Sequence, residues 1–195
     1  MQPRLFVISG PSGTGKGTLV SLVRRRRPDL GLTVSATTRP PRPGEVPDVS
    51  YHFLTEEDFR RRVEAGDFLE WARVHGHCYG TLRADVRNLL SQGKSVILEI
   101  DVQGALNVRR IVPDAVLIFV EPPSMEELER RLRARGTETE DQMELRLTNA
   151  RHEMGLASHY DVRLVNDDLD AAAARLGTVM KEYELDGGNS QDGSN

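Results

Sequence analysis

Short apolar runs alternate with longer amphipathic stretches along the chain. The apolar runs predict strands buried on both faces of a sheet, because such strands are hydrophobic at consecutive positions; they lie at residues 5–8, 95–100, 115–120 and 163–165. The amphipathic stretches predict helices, from about residue 16 to before Arg27 and near residues 82–92, 104–112 and 124–135. This alternation predicts an α/β fold with a parallel sheet covered on both faces.

Residues with capping chemistry mark several helix ends. Thr55 with Asp58, and Ser124 with Glu127, have the capping-box spacing, in which side chains satisfy backbone amides at a helix start. Gly93 stands where a left-handed residue can end a helix. We therefore expect helices to begin just after Thr55 and Ser124, and one to end near Gly93.

Two segments differ from the alternating core and divide the chain. Residues 35–81 combine a proline-rich stretch with aromatic-rich short strands, which predicts an inserted lobe. Residues at about 137–158 are polar and helical, which predicts an arm projecting from the sheet. The core then comprises residues 1–34 and 82–186. The tail at 187–195 is expected to be disordered, because it is rich in Gly, Asn, Ser and Asp and has no apolar residue.

Composition restricts the class of protein. The 195 residues are 38% hydrophobic and 29% charged, which is typical of one soluble globular domain. The net charge of −4 argues against a general nucleic-acid or membrane binder, which is usually basic. Cys78 is the single cysteine, and neither a signal peptide nor a membrane span is visible, so we expect a cytoplasmic protein. Only three of the 26 basic residues are lysines; arginine suits phosphate contacts, but codon bias explains the excess equally well.

A glycine-rich loop with a lysine follows the first predicted strand and opens the first predicted helix. Its residues are Gly10, Pro11, Ser12, Gly13, Thr14, Gly15, Lys16, Gly17 and Thr18. Glycines let successive backbone N–H groups converge on phosphates, and the helix N-terminus adds positive dipole. The lysine supplies charge for the β- and γ-phosphates. Because strand, loop, lysine and helix coincide, the pattern predicts a P-loop that binds ATP or GTP.

One position departs from the P-loop pattern. The Ser or Thr that usually follows the lysine and ligates Mg²⁺ is Gly17 here, and Thr18 is one place late. We therefore expect Mg²⁺ to be held by nucleotide phosphates and water, without a direct ligand from these two residues. His75 and His77 have no metal-ligand companions in the sequence, so we expect no zinc site.

Further motifs follow the P-loop in a fixed order. They are S-A-T-T-R-P-P-R-P-G-E at 35–45, Y-H-F at 51–53, F-L-E-W at 68–71, Y-G-T at 79–81 and I-L-E-I-D-V-Q-G at 97–104. Together with the P-loop, this series resembles the guanylate kinases of the bacterial type, from about residue 5 to residue 185. The resemblance implies a P-loop kinase with a parallel sheet core, an inserted GMP-binding lobe and a mobile helical lid. Such an enzyme transfers the γ-phosphoryl group of ATP to GMP or dGMP.

The resemblance also implies which residues form the GMP site. Ser35 and Glu70 match the guanine-binding positions of the family. The residues that match the phosphate-binding positions, with the neighbouring hydroxyl, are Arg39, Arg42, Tyr51, Tyr79 and Thr81. Glu99 and Asp101 match an acidic pair, with Asp101 near the acceptor nucleotide or the hydrated Mg²⁺.

On the ATP side, the resemblance implies two lid arginines, Arg135 and Arg146, and an adenine-side pair, Asn166 and Asp167. The groups expected to neutralise charge on the transferring phosphoryl group are Lys16, Arg39, Arg42, Arg135, Arg146 and Mg²⁺. The acceptor is a phosphate oxygen that is already anionic at pH 7, so no general base is needed. Alignment and charge neutralisation are then expected to carry catalysis.

The chemistry of individual residues supports several of these roles and leaves alternatives open. Arg39 and Arg42 flank prolines that stiffen the loop, although the same segment could be a polyproline-type ligand for another protein. Glu70 lies between Leu69 and Trp71, which favours a partly buried carboxylate that must be paired. An exposed position on an alternating strand is the alternative for Glu70.

Charged residues elsewhere have competing explanations. Glu99 and Asp101 fall on one face of a predicted strand, because side chains there repeat every two residues; structural ion pairing is the alternative to a nucleotide or metal role. Arg131 stands four residues after Glu127, the spacing of a stabilising pair on a solvated helix. Arg135 lacks such a partner in the sequence and is the better phosphate-binding candidate.

Two other functions fit parts of the sequence. A guanylate-kinase-like binding module has the same fold and recognises phosphopeptides without catalysis. Such modules usually have degraded phosphate loops, whereas the loop around Lys16 is intact. A kinase for another nucleoside monophosphate, such as AMP, is the second alternative. We expect ATP and GMP as partners, and neither nucleic acid nor membrane.

Overall fold

Two β-sheets organise the part of the chain that the structure describes. A computed structural model describes residues 1–74, 76–134 and 139–186. The strands are β1 (Leu5–Ser9), β2 (Gly31–Leu32), β3 (Ala36–Thr37), β4 (His52–Phe53), β5 (Phe68–Val74), β6 (His77–Leu82), β7 (Val96–Glu99), β8 (Val116–Glu121) and β9 (Val162–Val165). The helices are α1 (Lys16–Arg26), α2 (Glu56–Glu64), α3 (Arg83–Ser91), α4 (Val102–Ile111), α5 (Met125–Arg133), α6 (Glu140–Gly155) and α7 (Leu169–Asp186), with a short 3₁₀ turn at Ala157–His159.

The first sheet is parallel, with the strand order β2-β7-β1-β8-β9. Its central strand β1 is buried throughout and divides two apolar clusters. Phe6 and Ile8 pack with α1 and α7 on one face, whereas Leu5 and Val7 pack with α3 and α4 on the other. The predicted α/β fold with a covered parallel sheet is therefore confirmed.

The last strand of this sheet is less buried than predicted. β9 lies at the sheet edge and pairs with β8. Within β9 only Leu164 is buried, whereas Arg163 and Val165 are exposed. A strand at an edge has one neighbour and an open flank, which explains its alternating exposure.

The second sheet has the strand order β4-β3-β6-β5 and is built from residues 36–82. β3 pairs with β4 in parallel and with β6 in antiparallel orientation, and β5 pairs with β6 as a hairpin. Helix α2 covers one face, where Phe59 stacks on Phe68 with ring centres 4.4 Å apart. The Thr55 hydroxyl accepts from the Asp58 N–H at 3.0 Å, which confirms the predicted start of this helix.

Helices α5 and α6 pack against each other through a small cluster of their own. It contains Leu128 and Leu132 of α5 with Met143 and Leu147 of α6. Ser124 caps α5 by accepting from the N–H of its third residue, as predicted. None of the described helices combines the length and the apolar character that crossing a membrane requires.

Several elements differ from the sequence prediction. Strand β2 and helix α7 were not predicted, and α4 begins at Val102, two residues before the predicted start. The helix end near residue 93 is confirmed, since α3 stops at Ser91 and Gly93 has a left-handed φ of 75°. The expected disorder of 187–195 lies outside the described residues.

Candidate active site

The P-loop is held in shape by bonds to its own carbonyl groups and to a distant strand end. The buried Thr14 donates its hydroxyl to the Pro11 carbonyl at 2.9 Å, and its own carbonyl accepts from the side-chain amide of Asn166 at 2.8 Å. Lys16, the first residue of α1, donates from Nζ to the carbonyls of Gly10 at 2.6 Å and Pro11 at 2.9 Å. The lysine ammonium therefore lies against the loop.

A cleft opens between the P-loop and the second sheet. Most residues that line it were predicted as site residues: Ser12, Lys16, Ser35, Tyr51, Glu70, Tyr79, Glu99 and Asp101. The lining is completed by Val74, Gly80, Ile100 and Glu153. These side chains come from both sheets and from α6, so the fold brings together residues that are far apart in the sequence.

Glu70 contributes a buried carboxylate to this cleft. It lies on β5 opposite Thr81 of β6 and is 5% exposed. The Thr81 hydroxyl donates to Glu70 Oε1 at 2.8 Å. Burial raises the pKa of Glu70 to about 7, with a smaller rise from the charge of Asp101, while the bonds from Thr81 oppose the rise. The alternative of an exposed Glu70 is wrong.

Arg39 is held by acidic and aromatic neighbours. Its two terminal nitrogens donate to the two carboxylate oxygens of Glu45, at 3.0 and 2.9 Å. Its guanidinium carbon lies 5.3 Å from the ring centre of Tyr51 and 6.0 Å from that of Phe53. Arg42 is exposed, and its backbone N–H donates to the same Glu45 at 2.7 Å. Glu45 therefore ties together the loop that carries both arginines.

Glu99 and Asp101, the predicted acidic pair, do not lie on the same strand. β7 ends at Glu99, whereas Asp101 lies beyond it and caps α4, its Oδ1 accepting from the Gly104 N–H at 3.0 Å. The prediction that both side chains lie on one strand face is wrong, because the two-residue period applies only within a strand. Both residues still line the cleft. Burial raises the pKa of Glu99, and the charge of Lys16 opposes the rise.

Glu99 lies close to the place where a side chain at position 17 would begin. A Cβ atom on Gly17 would lie 3.2 Å from Glu99 Oε1 and 3.6 Å from Oε2. A side chain at position 17 would therefore require the Glu99 carboxylate to shift by a few tenths of an ångström. Thr18 is exposed. Across the described ranges, no three His, Cys, Asp or Glu side chains cluster as a metal site.

Glu153 is a cleft residue that the sequence analysis missed. It lies on α6 and lines the cleft together with Lys16. Burial raises the pKa of Glu153, and the charge of Lys16 opposes the rise. Its sequence context resembles that of the exposed charges on the same helix, such as Glu144 and Arg151. Only the packing of α6 distinguishes it.

The predicted lid arginines fall partly within the described structure. Arg146 on α6 lies with Nη1 3.5 Å from the hydroxyl oxygen of Ser12 in the P-loop. Arg135 lies outside the described residues. Arg131 donates from Nε to Glu127 at 2.8 Å, which confirms the ion pair expected on this helix.

The predicted adenine-side pair divides between two environments. Asn166 is buried; its side-chain amide donates to the Thr14 carbonyl, and its backbone carbonyl accepts from Arg131 at 3.1 Å. Asp167 is exposed and pairs with Arg175 at 2.7 Å, which lowers the pKa of Asp167 to about 2. Asn166 therefore braces the P-loop, and Asp167 is the member of the pair that faces solvent.

Comparison with known sequences points to one family. A family model described as guanylate kinase matches residues 2–183. The guanylate kinase of Thermosynechococcus vestitus is 51% identical over 177 residues, which cover 91% of this chain and 93% of the relative. That of Clostridium perfringens is 47% identical over 176 residues, which cover 90% of this chain and 82% of the relative.

Comparison with solved structures gives the same result. The crystal structure of guanylate kinase from Anaplasma phagocytophilum matches with a TM-score of 0.77 and 31% identity, covering 94% of this chain and 87% of that chain. Shikimate kinase from Bacteroides thetaiotaomicron matches with a TM-score of 0.53 and 16% identity, covering 91% of this chain and 98% of that chain, and shares the fold alone. The family match, the close relatives and the cleft beside an intact P-loop lead to one assignment: this chain belongs to the guanylate kinase family.

Proposed function

We propose that this chain transfers the γ-phosphoryl group of ATP to GMP, with ATP over the P-loop and GMP in the adjoining cleft. The observation that carries this proposal is the buried carboxylate of Glu70 in the same cleft as Lys16. The P-loop with Lys16 lies on one side of the cleft and is suited to phosphate. The Glu70 carboxylate also lines the cleft and can accept hydrogen bonds from a purine base. Both substrates would be taken from the cytoplasm.

Glu70 is proposed to recognise guanine. Guanine presents its N1–H and N2–H donors side by side, and one carboxylate can accept two parallel bonds from them. Adenine presents a bare N1 acceptor at the same place, which would leave the buried charge unpaired. Ser35 lines the cleft and is proposed to donate to guanine O6. Bonds to the charged carboxylate favour its ionised form, so guanine binding should lower the pKa of Glu70.

The GMP phosphate is proposed to bind where two tyrosines meet the arginine-bearing loop. Tyr51 and Tyr79 line the cleft in edge contact, with ring centres 6.2 Å apart. Arg39 lies over the Tyr51 ring, and Arg42 follows on the same loop. Guanidinium forks and phenol hydroxyls are donors, which suits the oxygens of a phosphate.

On the ATP side, Lys16 and the backbone of residues 10–18 are proposed to hold the phosphates. Lys16 already lies at the junction of loop and cleft. Arg146 approaches the loop through Ser12, and Arg135 is proposed to act with it. Asp167 is proposed to contact the adenine side. Because the attacking phosphate oxygen is already anionic, these groups contribute alignment and positive charge to the transfer.

Mg²⁺ is proposed to accompany ATP, and the side chains present fit an ion held mainly by the nucleotide. Gly17 offers no hydroxyl, whereas Glu99 and Asp101 place carboxylates, a ligand class that Mg²⁺ prefers, in the cleft. Those two carboxylates would hold the ion on the protein side, without a direct ligand from Gly17 or Thr18. When bound, Mg²⁺ neutralises phosphate charge.

The chain is proposed to consist of a GMP-binding lobe, a lid and a core. Residues 35–81, which contribute most of the second sheet and α2, would form the GMP-binding lobe. Residues at about 137–158, which contain α6, would form the lid on a core made of 1–34 and 82–186. The approach of Arg146 to Ser12 supports a lid that closes over the P-loop. Closure would exclude water that otherwise hydrolyses ATP.

A coupled assay tests the proposal. ATP is supplied with GMP or AMP, and kcat/KM is measured for wild type and Glu70→Gln. Sites built on polar pairing can discriminate by roughly 10⁴ or more, so we expect a strong GMP preference that narrows in the variant. A variant that keeps the full preference would show that another residue reads guanine. Nucleotide binding without turnover in the wild type would instead favour a binding module.

A further inference from the structure

Gly104 lies directly against the carboxylate of Glu70. A Cβ atom built on Gly104 would lie 2.7 Å from Glu70 Oε2 and 3.4 Å from Glu70 Cδ. The first distance is below 3.0 Å, which real Cβ atoms essentially never show. Any side chain at position 104 would therefore displace this carboxylate oxygen.

The two oxygens of Glu70 have different neighbours. Oε1 accepts from the Thr81 hydroxyl at 2.8 Å, whereas Oε2 packs on the bare backbone of Gly104 in the first turn of α4. The Gly104 N–H is already donated to Asp101 at 3.0 Å. What Gly104 contributes to Glu70 is therefore space, and the carboxylate is confined between a hydroxyl on β6 and the start of α4.

We infer that Gly104 is a specificity-determining positioning residue: the absence of a side chain sets the place of Glu70 Oε2 and so permits the second of the two parallel bonds to guanine. This inference rests on the proposed guanine-reading role of Glu70. A displaced carboxylate can still accept one bond but not two parallel ones. IMP, whose base lacks the N2 amino group, needs only one such bond and is therefore the diagnostic substrate.

Gly104→Ala is the variant that tests the inference. The atom that must yield is the end of a side chain, and alanine is a better helix former than glycine, so α4 is expected to remain intact. Loss of one hydrogen bond to a charged group weakens binding by a factor of about ten or more. We expect KM for GMP to rise about tenfold, kcat/KM for IMP to fall less, and KM for ATP to stay unchanged. The GMP/IMP ratio of kcat/KM therefore narrows.

Gly177→Ala is the matched control. Gly177 also lies within a helix, but nothing lies within 4 Å of a Cβ built there, so the GMP/IMP ratio should equal that of wild type. A uniform loss for GMP, IMP and ATP in Gly104→Ala would indicate a merely structural role and would overturn the inference.

A double-variant cycle separates this inference from the proposal beneath it. Adding Gly104→Ala to Glu70→Gln should change the GMP/IMP ratio much less than adding it to wild type, because both changes act on the same two bonds. If Glu70→Gln itself leaves the ratio unchanged, the proposed role of Glu70 fails and the inference fails with it. If Glu70→Gln narrows the ratio but Gly104→Ala does not, the inference alone is wrong.

Discussion

The hydroxyl of Thr81 donates a hydrogen bond to Glu70 Oε1 across 2.8 Å, between neighbouring strands of the second sheet. Both side chains are buried, Thr81 completely. A buried carboxylate without partners is costly, so this bond keeps the side chain in one place when no nucleotide supplies others. We therefore propose that Thr81 acts on GMP through Glu70, which refines the role that the family resemblance implied for it.

Removing this hydroxyl should weaken GMP use. Thr81→Val keeps the shape of the side chain but leaves Glu70 Oε1 without its donor, and hydrogen bonds to charged groups contribute about 1.5–3 kcal/mol. We expect kcat/KM for GMP to fall about tenfold or more, with KM for ATP unchanged. Thr81→Ser, which retains the hydroxyl, is the control and should stay near wild type. Equal losses in both variants would mean that packing, rather than the bond, is what matters.

GMP use should depend on the protonation of Glu70. Its pKa in the free protein is raised to about 7, so the carboxyl gains a proton as the pH falls below that value and loses acceptor capacity. Since kcat/KM reports the free enzyme, the value for GMP should decline with falling pH below about 7. The GMP phosphate titrates near pH 6 in every variant. The pH profile of Glu70→Gln shows how much of the decline in kcat/KM comes from Glu70. Identical pH profiles in wild type and variant would contradict the proposed role of Glu70.

Gly17 and Glu99 should be energetically coupled. A methyl group on Gly17 would press on the Glu99 carboxylate at 3.2 Å, and shortening the acid to aspartate would remove the contact. We expect the change in the free energy of unfolding caused by Gly17→Ala, measured by urea denaturation, to depend on residue 99. It should be about 1 kcal/mol more favourable in the Glu99→Asp variant than in wild type. Because Gly17→Ala is made in both backgrounds, the intrinsic helix preference of alanine contributes equally to both and cancels in the comparison. Additive free energies of unfolding would show that the two positions are independent.

Lys16 should be needed for turnover but not for folding. Lys16→Ala removes a positive charge beside the transferring group, and loss of one such electrostatic contact costs about 10²–10³ in kcat. The melting temperature should change little, since the Lys16 side chain is only partly buried and takes no part in the apolar clusters of the core. Lys94→Ala, at an exposed lysine, is the control. Near-normal turnover in Lys16→Ala would remove the proposed role.

Local patterns predicted the core of the fold well, because buried strands and capped helices leave signals within a few residues. Helix α7 was missed, since its buried face uses small residues such as Ala172 and Ala173 and even a buried acid, Glu184. Asp101 was placed on a strand because the two-residue spacing from Glu99 matched one. The competing signal was capping chemistry: Asp101 is the N-cap of α4.

Site residues that belong to a sequence motif could be predicted, whereas residues that reach the site through tertiary packing could not. Glu70 and Ser35 follow from their motifs and line one cleft. Glu153 reaches the same cleft only because α6 packs as it does. The clearance at Gly104 is likewise invisible in the sequence, because it depends on a side chain 34 positions away.

The bond from Asn166 to the carbonyl of Thr14 joins residues 152 positions apart. Because synthesis proceeds from the N-terminus, Thr14 leaves the ribosome early and Asn166 only when most of the sequence has been made. Throughout that interval the loop has its complete sequence but not the brace that closes its backbone. In a growing chain this hydrogen bond to the P-loop therefore forms late, when the strand at the far edge of the sheet has been added.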